Sequence, residues 1–175
     1  MNLKKLAIVL SSALALGALS TVSTDALAGT ATDNLSVTAS VSANCTISTA
    51  AVAFGAYDPI TANKTSPLDG TGTVTVTCTT GSAALITLGQ GANADTGSTE
   101  IAPLRRMKDA GTNHLAYFLF SDTDRTAVWG GDTTTDVAHT GTGVAVGLTV
   151  YGRVTQDQNM PAGSYSDTVL ATVSF

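Results

Sequence analysis

Positive charge is what this chain has least of. Eight Lys and Arg stand among 175 residues, and charged residues of both signs reach only 12%, about half the share usual in globular domains. So few cations cannot neutralise a run of phosphates, and nucleic acid is excluded as a partner. Aromatic residues make up 5%, with four Pro, two Cys and one Trp. Beyond residue 28 no stretch approaches the roughly 20 apolar residues of a membrane-spanning helix, and none has the apolar spacing of an amphipathic helix. A coiled coil and a collagen are thereby excluded, and 43% hydrophobic residues exclude a disordered chain. Threonine is abundant instead, with 28 between Gly29 and Phe175. Residues that are β-branched and half polar suit strands with one wet face. The expected class is all-β, in one domain.

The first 28 residues stand apart. Lys4 and Lys5 precede an apolar run from Leu6 to Leu19, and Ala26-Leu27-Ala28 closes the segment, the pattern of a secretory signal peptide cleaved after Ala28. The expected division is a signal peptide at 1–28, an N-terminal extension at 29–44 and a folded body at 45–175. The exported part holds six basic and twelve acidic side chains, a formal charge of −6 that an anionic membrane surface repels. Export also decides what Cys45 and Cys78 are for, since in an oxidising compartment a lone pair of cysteines reads as a disulfide. The loop so closed has 34 residues counting both ends, which stabilises the fold by about 3–4 kcal/mol in the chain-entropy picture.

Alternation with period two dominates the rest. It opens with Leu35-Ser-Val37-Thr-Ala39-Ser-Val41, and further strands are predicted at 45–47, 52–54, 73–78, 84–88, 115–121, 144–151 and 168–175. Turns are predicted at Asp58-Pro59, Asp69-Gly70, Thr80-Gly81, Gly130-Gly131 and Pro161-Ala-Gly163, and an exposed loop between Gly89 and Pro103. Short strands separated by such turns argue for a two-sheet sandwich.

The two ends of the exported part carry the functional expectation. Val169, Ala171, Val173 and Phe175 alternate up to the final position, so the last core strand has no successor to cover its outer edge. An immunoglobulin-like sandwich is then one strand short. Leu35, Val37, Ala39 and Val41 form an apolar strand of about 20 Å, joined to the first body strand by Ser42-Ala43-Asn44. Three residues are too few to carry it to the vacant position of its own subunit. Exchange between copies is expected, with Leu35, Val37, Ala39 and Val41 as donor and Val169, Ala171, Val173 and Phe175 as acceptor groove.

The order and spacing of Cys45-Thr-Ile47, Phe54-Gly55-Ala-Tyr57-Asp58-Pro59, Val74-Thr-Val-Thr-Cys78-Thr, Arg106-Met107, Leu115-Ala-Tyr117-Phe-Leu119-Phe, Asp124-Arg125-Thr126 leading to Trp129-Gly130, Leu148-Thr-Val-Tyr151-Gly152-Arg153 and Gly163-Ser-Tyr165-Ser-Asp167-Thr168 are together similar to the spore coat protein U domain family. That family includes the subunits of archaic chaperone–usher pili, and the likeness covers essentially the whole exported part. The resemblance implies an incomplete immunoglobulin-like subunit that is held by a periplasmic chaperone and passed to an outer-membrane usher. By donor-strand exchange it would join other copies or related pilins in a surface fibre serving adhesion or biofilm formation.

Chemistry is sparse. His114 and His139 sit in loop-like contexts without an i,i+4 or Cys partner, and read as solvated. Asp122-Thr-Asp124 lacks the later Gly and Glu of a calcium loop. Gly70-Thr-Gly72, Gly89-Gln-Gly91 and Gly141-Thr-Gly143 lack the strand-to-helix setting and Lys of a phosphate loop, and read as turns. No enzyme, cofactor or metal is expected. Two rival readings stand beside the fibre subunit. One is a secreted monomeric carbohydrate-binding sandwich that stacks sugar on Trp129 and Tyr117, although a lone Trp is more often core. The other is a coat protein that packs without donor exchange. Asn34, Asn44 and Asn63 head Asn-x-Ser/Thr sequons, which matter only in a glycosylating cell. With 147 exported residues, a two-domain tip adhesin with a separate receptor-binding domain is not expected.

Overall fold

A computed structural model describes residues 29–175; the expected signal segment lies outside the described residues. The chain divides into two units after Ala39. In the first, residues 29–39 carry no helix or strand, and Leu35 and Val37 are 88% and 85% exposed. The strand expected over 35–41 is therefore not formed. An alternating segment acquires a strand's hydrogen bonds only from a neighbour, and none pairs with it among the described residues.

The second unit contains β1 (Cys45–Ala50), a single helical turn α1 (Ala62–Thr65), β2 (Leu68–Cys78), β3 (Ala83–Leu88), β4 (Arg105–Lys108), β5 (His114–Phe120), β6 (Val137–Thr140), β7 (Val146–Val154) and β8 (Ala171–Ser174). They form two antiparallel sheets, ordered β1-β2-β7-β5-β4 and β6-β3-β8. Alternation in the sequence becomes alternation in burial. Val74, Val76 and Cys78 of β2, Ala84, Ile86 and Leu88 of β3, and Leu115, Tyr117 and Leu119 of β5 all point into one core.

Three departures from the sequence expectation have clear causes. Gly70 and Gly72 lie inside β2 rather than in a turn, because residues 50–54 cross close above it. A Cβ at Gly72 would come within 2.7 Å of Val52 and 2.8 Å of the Ala50 carbonyl oxygen, and one at Gly152 within 2.7 Å of both Val52 and Phe54. Glycine here serves close approach, which a dipeptide signal does not distinguish from a turn. β4 has no apolar alternation and owes its strand state to pairing, with Arg105 opposite Tyr117 and Met107 opposite Leu115. His139 lies on β6, half-buried, and its Nε2 is enclosed without a hydrogen-bond partner; it is not a solvated loop residue.

Two groups tie the sheets together. The Trp129 backbone N–H donates to Leu119 of the five-stranded sheet, while its indole N–H donates to the Ile86 carbonyl of the other at 2.9 Å. Arg105, on β4, donates to the carbonyls of Leu88, Gly89 and Trp129. Cys45 and Cys78 are register partners across β1 and β2, and their sulfurs are bonded at 2.07 Å. The intact protein is expected to show no free thiol on alkylation and mass spectrometry. Reduction, or Cys78→Ala with Cys45→Ala, is expected to lower stability by about 2–4 kcal/mol, read from urea denaturation or protease half-life.

Candidate functional site

The C-terminal run is hydrogen-bonded along one side. Ser166 exchanges two backbone bonds with Lys108, at 2.9 and 3.0 Å, and the carbonyls of Thr168 and Leu170 accept from Ala92 and Gly89. β8 then pairs with β3, Val173 opposite Ile86 and Ala171 opposite Leu88. In an extended chain successive residues turn their N–H and C=O to opposite sides. The other side thus belongs to Tyr165, Asp167 and Val169, whose backbone groups make no hydrogen bond among the described residues. Their side chains face inward yet remain half-buried, as do Ala171 and Val173, whereas Val74, Val76 and Ile86 of neighbouring strands are 0–2% exposed. The core is uncovered on this flank.

The opposite wall is the continuation of β1. Residues 51–57 leave the sheet, and their backbone likewise makes no hydrogen bond among the described residues. Between the two walls lie two connected cavities. The narrower, about 390 Å³, has Val52 on one wall, Val169 and Ala171 on the other, and Val74, Leu88 and Tyr117 beneath. The wider, about 820 Å³, lies among Phe54, Tyr57, Leu68, Leu115, Met160 and Tyr165. Of the four expected acceptor residues, Val169 and Ala171 line this groove. Val173 packs against the core cluster, and Phe175 is 57% exposed and lines neither cavity. The donor residues Leu35, Val37, Ala39 and Val41 are exposed.

One polar group stands in the apolar wall. Asp167 has the parity of the inward residues, and its carboxylate accepts hydrogen bonds from the Tyr117 hydroxyl at 2.7 Å and from the Asn93 backbone and side-chain amides at 3.1 and 2.9 Å. Burial, and then the bond to Asp167, push the Tyr117 phenol well above the usual tyrosine range. Phe54 meets Tyr117 edge-on, with ring centroids 6.0 Å apart. Phe54, Tyr57, Met107, Tyr117, Tyr165 and Asp167 all sit within the motifs that carry the family resemblance, and those motifs were the available signal for them. Alternation missed them because it marks only apolar residues of one strand at a time.

Other candidates resolve differently. Trp129 is 1% exposed and Tyr117 is buried, so neither offers a face to a sugar, and the carbohydrate platform is overturned at these residues. Asp122 accepts from the backbone N–H groups of Thr126 and Ala127, which makes its segment a closed turn. Asn63 is 5% exposed and its amide is engaged with Asp58 and Ser66, leaving no room for a glycan. No cluster of three metal-ligating side chains occurs among the described residues, and no helix there is long and apolar enough to cross a membrane.

These features define an all-β sandwich with a long apolar groove along one flank. A family model described as the Spore Coat Protein U domain matches residues 31–172. Protein U of Myxococcus xanthus is 44% identical over 142 residues, an alignment covering 77% of this chain and 79% of that protein. The chain belongs to the Spore Coat Protein U domain family. Among solved structures, the chaperone–tip adhesion subunit pre-assembly complex CsuC-CsuE, from the archaic chaperone-usher Csu pili of Acinetobacter baumannii, contains a chain of the same fold. It is 19% identical with a TM-score of 0.54, over 77% of this chain and 40% of that one. This chain therefore spans about two-fifths of that neighbour's length. The Hda pilus minor tip subunit HdaB of E. coli superposes less well, at 15% identity and a TM-score of 0.34, over 74% of this chain and 79% of its own.

Because Tyr117 titrates higher in the folded chain than in the unfolded one, its contribution is fully present below the unfolded value of about 10. It is lost as pH rises through the folded value, since the unfolded chain ionises first. Stability is expected to fall above about pH 10. Tyr117→Phe is expected to flatten that decline while costing about 1 kcal/mol at neutral pH, measured by urea titration at several pH values.

Proposed function

We propose that this protein is a structural fibre subunit of the chaperone–usher type, completed by a strand from another copy. The segment holding Leu35, Val37, Ala39 and Val41 adds to the free backbone edge of Tyr165, Asp167 and Val169, and its apolar side chains enter the groove. The observation that carries this reading is the groove itself: two unpaired backbone walls above half-buried core residues. Each of Leu35, Val37 and Val41 contributes about 1.5–3 kcal/mol on burial, and each new ladder hydrogen bond about 1 kcal/mol net. The contact is head-to-tail and does not close on itself, so repetition gives an open filament. An apolar groove of this length needs cover before assembly, which fits a periplasmic chaperone, an outer-membrane usher and a cell-surface destination. Adhesion or biofilm formation is the role such a fibre would serve.

The family's description as a Spore Coat Protein U domain favours a second reading, a coat protein that packs without strand exchange. The two readings part at adjacent residues of the extension. Val37→Asp places a carboxylate in an apolar groove at a cost of several kcal/mol, whereas Thr38→Asp points it outward. Strand exchange predicts high-mass ladders on electrophoresis of unheated samples, which Val37→Asp is expected to abolish and Thr38→Asp to leave. Equal behaviour of the two variants would favour the coat reading.

A further inference from the structure

We infer that Ala39 sets the register of the donor strand, by lying over a ridge that divides the groove. The inference rests on the strand-exchange reading above. The two cavities share Val52, Phe54, Met107 and Tyr165, and these side chains form the ridge. It cannot sink. The Phe54 ring lies so close over Gly152 that even a Cβ there would come within 2.7 Å of it, and its edge rests against Tyr117. The Tyr165 hydroxyl is fixed to the Pro161 carbonyl at 2.9 Å.

The inward positions of the donor read large, large, small, large: Leu35, Val37, Ala39, Val41. They recur about every 6.8 Å along an extended chain, so a small residue over the ridge puts its branched neighbours over the cavities. An antiparallel approach pairs more strongly, and it directs Val41 and Ala43 to the wider cavity, where the donor must leave for its own β1 after Asn44. Ala39 then lies opposite Tyr165, Val37 opposite Asp167, Leu35 opposite Val169 and Val41 opposite Gly163. Val37 does not strip water from a bare charge, because the Asp167 carboxylate is already held by Tyr117 and Asn93.

In this register Ser36 faces Thr168, both exposed. Thr168 turns its carbonyl toward Ala92, so the new pair is of the non-hydrogen-bonded kind, with Cα atoms about 4.5 Å apart, within disulfide reach. The test is cysteine cross-linking in ladders assembled from the full chain. Ser36→Cys with Thr168→Cys is expected to give subunit–subunit bonds that survive boiling and collapse on reduction. Thr38→Cys with Thr168→Cys is expected to give none, and neither is Thr38→Cys with Ser164→Cys, which would meet in a parallel strand. Ladders cross-linked by either of the latter pairs, and not by the first, overturn the register while upholding strand exchange. Absence of ladders from the unsubstituted protein overturns both. Independently, Ala39→Leu is expected to lower assembly about tenfold through overpacking and Met107→Ala to restore it; an Ala39→Leu protein that assembles normally overturns the assignment.

Discussion

A buried cation holds the two sheets at the distance everything else requires. The Arg105 guanidinium is 1% exposed and reaches from β4 to the carbonyl oxygens of Leu88, Gly89 and Trp129, at 2.6–2.9 Å. No carboxylate lies within ion-pair distance of it among the described residues. Burial lowers its pKa only to about 10, so it stays charged at neutral pH and its charge is spread over three carbonyl dipoles. Removing either side of such an arrangement leaves buried polar groups unpaired, which costs more than the bonds contribute in net terms. Trp129 completes the clamp through its bond to Ile86. Leu88 and Tyr117, neighbours of the clamp, are also part of the groove floor, so the clamp shapes the surface on which a strand would lie.

The groove joins two conditions that folded chains ordinarily avoid. Its inward side chains are half-covered, and its backbone edges have no hydrogen-bond partners among the described residues. Either alone invites stray association; under the proposed strand exchange, one extended segment with apolar residues at alternate positions would answer both. The rest of the surface is arranged differently. Lys64, Arg106, Arg125 and Arg153 are all paired with carboxylates, which leaves an acidic excess. Repulsion between like-charged bodies then discourages nonspecific contacts between copies.

Much of this was legible in the residues themselves. Alternation depends only on local pleating, so the main strands, the parity of Val74, Val76 and Cys78, and the all-β class could be read directly. Two cysteines in a chain that reads as exported likewise have one another as the available partners, and the bond between Cys45 and Cys78 agrees with that reading. The apolar alternation of residues 35–41 was equally plain, although no strand forms there, because pattern determines which face a segment presents and a neighbour determines whether it pairs.

What only the tertiary structure decided concerns encounters between segments distant in sequence. Gly70 and Gly72 looked like turn residues and proved, together with Gly152, to be the space in which Val52 and Phe54 cross β2 and β7. β4 became a strand through β5, and Trp129 went into the core by way of Ile86. The cavities beside the C-terminal run likewise take in Val169, Ala171, Met160 and Tyr165, residues that no local pattern brings together. The walls are residues 51–57 and the C-terminal run, more than a hundred positions apart. Local pattern carries the direction of each side chain, but the volume left between two walls exists only once both are in place.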